Sequence, residues 1–119
     1  MNFPSLSAQA LFAFLCVGTI SGCKGPHKPI DIQNATDSTL SGLRIRHNGV
    51  LSEELTIKPK NWGEVKAVWD DRSPYELVRP GNGGYVVIGQ CKVEHLWVDS
   101  LGIAVHSIDP PKVFCFEEG

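Results

Sequence analysis

The sequence has no excess of positive charge. Its 11 Lys and Arg stand against 13 Asp and Glu, for a formal net charge of −2, so there is no basic field to hold nucleic acid. It has no apolar run of the ~20 residues that a membrane-crossing helix needs at a rise of ~1.5 Å per residue. From Cys23 onward no stretch keeps a helical period of apolar side chains, and no internal repeat is visible, which argues against bundles and solenoids. Two common catalytic signatures are also missing. There is no Gly-x-Ser-x-Gly elbow, and the glycine-rich Pro80-Gly81-Asn82-Gly83-Gly84 lacks the Gly-Lys-Ser/Thr ending of a phosphate loop. A hairpin turn accounts for those glycines. What remains is a chain of 119 residues, 42% hydrophobic and 20% charged, the size and composition of one ordinary globular domain.

One absence is local. Residues 1–22 carry no charged side chain, and every Lys, Arg, Asp and Glu lies from Lys24 onward. Within that segment Ala10–Ile20 is an apolar run of the length of a signal-peptide core, ~7–15 residues. It ends in Ile20-Ser21-Gly22-Cys23: an aliphatic residue, two small residues and a cysteine. This resembles the lipobox of bacterial lipoprotein precursors, although Met1–Gln9 lacks the usual Lys or Arg. The resemblance covers residues 1–23 only. It implies cleavage before Cys23, acyl chains on that thiol, and a mature chain of residues 23–119 anchored in the cell envelope. Lys24 follows the cysteine, where an Asp tends to retain enterobacterial lipoproteins at the inner membrane; this implies the outer membrane, with the domain facing the periplasm. More than one acyl chain is needed for stable anchoring, because one chain holds only marginally.

Residues 23–29, rich in proline and lysine, read as a tether, and residues 30–119 as the domain. From Ile30 the dominant period is two: Ile30 and Ile32, Leu43 and Ile45, Leu55 and Ile57, then Val65, Ala67 and Trp69 alternate with polar residues. Such alternation marks strands with one wet face. The runs Tyr85–Ile88, Leu96–Val98, Ile103–Ile108 and Val113–Phe116 read as more fully buried strands. Gly, Pro, Asn and Asp clusters separate all of these. The expected fold is all-β: a small antiparallel β-sandwich, immunoglobulin-like, of about 7–9 short strands, or a small barrel.

With Cys16 in the signal segment and Cys23 lipidated, Cys91 and Cys115 are left as an even pair in an oxidising compartment. They are expected to form a disulfide. It would close a loop of about 25 residues and stabilise by ~3.5 kcal/mol on the chain-entropy estimate. A competing Cys₂His₂ set of Cys91, His95, His106 and Cys115 has poor spacing, since strand residues four apart are ~13 Å distant. No metal or other cofactor is expected. His47 is expected to be exposed at a turn, and the adjacent acids Glu53-Glu54, Asp70-Asp71 and Glu117-Glu118 to be solvated. Asn34-Ala35-Thr36 matches a glycosylation sequon.

Three residues are candidates for partner binding. Arg44 and Arg46 share one face of a strand, where they meet either a partner's acids or the acids of a neighbouring strand. Trp62, in Lys60-Asn61-Trp62-Gly63, stands where a turn has no need of a large ring. It is either a binding residue or a plug over the open end of the sandwich. Trp69 and Trp97 fall in strand patterns and are expected in the core. The function these features imply is a non-catalytic binding or structural module of the envelope, with the membrane and another envelope protein as partners and no nucleic acid. Alternatives are an inhibitor or immunity lipoprotein against a wall- or lipid-attacking enzyme, and a small hydrolase.

Overall fold

The structure, a computed structural model, describes residues 26–119; Cys23 and the signal segment lie outside the described residues. Nine strands form among them: β1 His27–Asn34, β2 Leu40–His47, β3 Val50–Leu51, β4 Leu55–Ile57, β5 Trp62–Val68, β6 Tyr75–Gly81, β7 Gly84–Cys91, β8 Ser100–Ile108 and β9 Pro111–Glu118. One sheet runs β9-β8-β1-β5. The other runs β3-β2-β6-β7, with β4 also on β2. Ile30, Ile32, Leu101, Ile103 and Val105 of the first sheet and Leu43, Ile45, Tyr75 and Leu77 of the second share one core, so the expected sandwich forms. Immunoglobulin sandwiches also stack two sheets, but their first strand lies at an edge. Here β1 is central, parallel to β8 and antiparallel to β5.

β1 begins at His27, so the domain takes in three residues expected in the tether. Pro29 is tolerated because His27–Pro29 pair with β5 only, and the parallel ladder to β8 starts at Ile30. On the side without a partner, a missing N–H removes no hydrogen bond. The Asn48-Gly49 hairpin has both residues at positive φ, 52° and 77°, as the tightest hairpin turns need. The Pro80–Gly84 stretch is a hairpin as expected, with Gly83 at φ 78°.

Three apolar runs are less buried than their composition implies. Tyr85, Val86 and Phe114 are exposed because β7 and β9 are edge strands. Leu96–Val98 is not a strand at all: it belongs to the crossing from β7 to β8, where Val93 and Val98 are buried and Leu96 and Trp97 face out. Trp97 is therefore not a core residue, whereas Trp69 is.

The two edge strands are drawn together by the Cys91–Cys115 disulfide, whose Cα atoms lie 5.7 Å apart. Their backbones approach closely beside it: a Cβ on Gly89 would fall 2.7 Å from the Val113 side chain. One side of the sandwich is thus covalently closed. The opposite side, between β5 and the β3/β4 edge, has no such link.

Candidate binding cleft on the open side

At the Trp62 end of the open side, β4 packs against β5: a Cβ on Gly63 would lie 3.3–3.4 Å from Leu55 and Ile57. Toward the other end β3 replaces β4, and the two sheets part around a cleft of about 760 Å³. Val50, Leu51 and Val68 form apolar walls, and Lys66 and Arg72 lie at its margin. An open concavity with apolar walls and a few charged groups is the usual form of a binding site.

His47 lines this cleft and is nearly buried, at 5% exposure, rather than exposed at a turn. The alternation of Leu43 and Ile45 continues to residue 47 and turns its ring inward. The ring stacks on Tyr75 with centroids 3.8 Å apart. Its Nδ1 faces the Pro74 carbonyl at 3.1 Å and its Nε2 the Asp70 carboxylate at 3.0 Å. A carbonyl and an ionised carboxylate only accept, so each of these two contacts draws on a ring N–H. Burial pushes the Asp70 carboxyl up. The hydrogen bond with His47 and the N–H groups of Arg72 and Ser73 outweigh it and hold that carboxyl below its ordinary value. Tyr75 completes the cluster: its hydroxyl donates to Val68 O at 2.6 Å and accepts from Asp70 N–H at 3.0 Å. Burial raises its pKa to about 12, so the hydroxyl stays a donor. The cluster ties the β5–β6 crossing to β2. Both imidazole nitrogens are engaged by neighbours within the fold, with Asn48 Nδ2 also 3.4 Å from Nε2.

Each other candidate has a definite place. Trp62 is the first residue of β5 and is 63% exposed, so it does not plug the sandwich. Arg44 and Arg46 are occupied within the fold. Arg46 Nε lies 2.7 Å from Glu76, its direct cross-strand partner, and Arg44 donates to Ser52 O at 3.0 Å with Glu54 at 3.7 Å. The neighbouring-strand alternative therefore holds for Arg46, while Arg44 is met by the loop between β3 and β4, and neither is on the sheet that carries Trp62. The Cys₂His₂ set is dispersed: both sulfurs are in the disulfide, His95 Nδ1 is 2.8 Å from Glu117, and His106 meets the edge of Phe114. Glu117 and Glu118 are not a free tail. They end β9, where Glu117 also accepts from the Glu94 N–H and Glu118 accepts from Ser100 at 2.8 Å. The sequon asparagine is a structural residue. Asn34 is 1% exposed, its amide donating to Ser38 O and Ile57 O and its carbonyl accepting from Thr36.

The chain matches no protein family, no curated protein and no solved structure.

Proposed function

We propose that this protein is an envelope lipoprotein held by acyl chains on Cys23, outer-membrane anchored and facing the periplasm, whose sandwich is a non-catalytic module binding another envelope protein along its open side. The observation that carries the binding role is Trp62, a large ring left 63% exposed on an unstapled sheet edge. Exposed Trp is costly to display and is among the residues that dominate protein interfaces. The cleft farther along β5 extends the same edge. A hydrolytic role is disfavoured by the full engagement of His47. The lipid anchor is supported by the lipobox, and Pro26, three residues after Cys23, accepts a backbone bond from Trp69 at 2.9 Å, which would hold the domain close to an anchored Cys23.

Two measurements test these roles separately. Labelled palmitate should enter the protein, and Cys23→Ser should abolish both labelling and membrane retention; a soluble protein with Cys23 intact refutes the anchor. Trp62→Ala should leave the melting temperature nearly unchanged while weakening capture of the co-purifying partner by at least ~2 kcal/mol, the size of an interface hot spot. Undiminished capture by the folded variant refutes the role of this residue.

A further inference from the structure

Two apolar turns stand at the end of the sandwich where the described chain enters it. One is the Asn48-Gly49 hairpin, followed by Val50 at 68% exposure. The other is the β7–β8 crossing, which holds out Leu96 and Trp97 at 48% and 72%. The crossing is braced from beneath. Lys28 Nζ bonds the carbonyls of Leu96 and Val98 at 3.2 and 2.7 Å, and Trp69 Nε1 bonds Leu96 O at 3.2 Å. The Glu117 carboxylate takes the N–H groups of Glu94 and His95. Val93 and Val98 are buried on either side. The turn is therefore fixed with its apolar side chains displayed.

Its position says what covers it. Trp69, whose indole N–H holds Leu96, donates its backbone N–H to Pro26. Pro26 is three residues from Cys23, at most ~11 Å of extended chain. A surface that held Cys23 would therefore be within reach of this end of the sandwich. The charged groups nearby are mixed in sign: Lys28 is held by the turn's own carbonyls and the Trp69 ring, His95 faces Glu117, Glu94 and Asp99 are acidic, and Lys66 and Arg72 line the cleft beside Val50. What the turn itself displays is apolar: Leu96 and Trp97.

We propose that this end of the sandwich rests on the lipid bilayer, with the Leu96–Trp97 turn inserted at headgroup level and Val50 beside it, fixing the domain's orientation. Trp settles at that depth because its ring is apolar and its N–H polar. The inference rests on the lipid anchor at Cys23. The far end supplies a control. Val68 pairs with His27 and Trp62 with Gln33, so Trp62 stands about 20 Å farther along β5 at ~3.4 Å per residue, away from the membrane.

The full-length protein, processed in its host and purified in detergent, is reconstituted into vesicles of phosphatidylethanolamine and phosphatidylglycerol whose acyl chains are brominated near the headgroup. Tryptophan emission should be quenched relative to unbrominated vesicles. Trp62→Phe should retain that quenching and Trp97→Phe should lose most of it, with the Cys91–Cys115 bond and melting temperature intact in both. Equal quenching in Trp97→Phe and the unaltered protein, or no quenching in either, overturns the inference while an acylated N-terminal peptide leaves the anchor standing. If mass spectrometry finds that peptide without acyl chains, the anchor fails and this inference fails with it.

Discussion

On the outer face of the first sheet, Asp31 is the group whose substitution is most informative. It is in register with Glu64 on β5 and Gly102 on β8. Glu118 from β9 comes within hydrogen-bonding reach of Asp31, and the Phe116 ring lies over Gly102, where a side chain would otherwise stand. Burial, then the hydrogen bond and charge of Glu118, then the charge of Glu64, push Asp31 up to about 6. Its folded pKa is therefore above the unfolded value of 3.8. Between these values the folded state holds a proton that the unfolded state has released. Stability falls as pH rises through that window and is flat above it. Two units at ~1.4 kcal/mol each set a ceiling of about 3 kcal/mol, and solvent screening of this partly exposed group reduces it to roughly 1. Asp31→Asn keeps a donor for Glu118 and removes the charge. It should stabilise the protein by roughly 1 kcal/mol at pH 8 and by nothing near pH 3.5, the difference growing between those pH values. Urea titrations of both proteins across that range measure it. A variant no more stable at pH 8, or a difference that does not change with pH, refutes the reasoning.

Replacing both Cys91 and Cys115 with Ala should lower stability by ~3.5 kcal/mol, read from the urea midpoint, and non-reducing mass spectrometry of the unaltered protein should join their peptides; an unchanged midpoint would show that the link contributes nothing. Tyr75→Phe keeps the ring stack on His47 but strips the hydroxyl from Val68 O and Asp70 N–H, and should cost ~1–3 kcal/mol; a melting temperature equal to that of the unaltered protein would show those contacts to be idle.

The sandwich was legible because alternation is a direct imprint of a strand with one buried face, and β1, β2 and β5 show it plainly. The same imprint extends to His47, two residues beyond Ile45, but a histidine beside Asn-Gly reads as a turn residue unless its phase is followed to the end of the strand. Apolar content misled where exposure depends on topology. Tyr85, Val86 and Phe114 lie on edge strands, and nothing local to Leu96-Trp97-Val98 says that the chain is crossing between sheets there. Pro29 misled in the opposite direction, since its tolerance depends on β8 not yet having joined β1. The cleft was illegible for the same reason: β3 and β5 are brought opposite each other only by the two sheet orders. The cysteine pair was readable by counting, because any second use for either sulfur would have needed ligands that the spacing does not supply.

The placement of the disulfide bears on where a partner can dock. A sandwich of two open sheets has two open sides, and each exposed edge invites strand addition. β7 and β9 carry apolar edges, with Tyr85, Val86 and Phe114 exposed, and these are the two that Cys91 and Cys115 bind to each other. Strand addition between copies is thereby hindered on that side. The side left open is the one whose edge strand β5 alternates Trp62, Glu64 and Lys66 outward, a sequence in which two charges of opposite sign discourage indiscriminate pairing and one aromatic ring remains for a specific contact. If the Leu96–Trp97 end rests on a bilayer as proposed, Trp62 stands at the end of β5 away from that surface, where the proposed partner would have access to it.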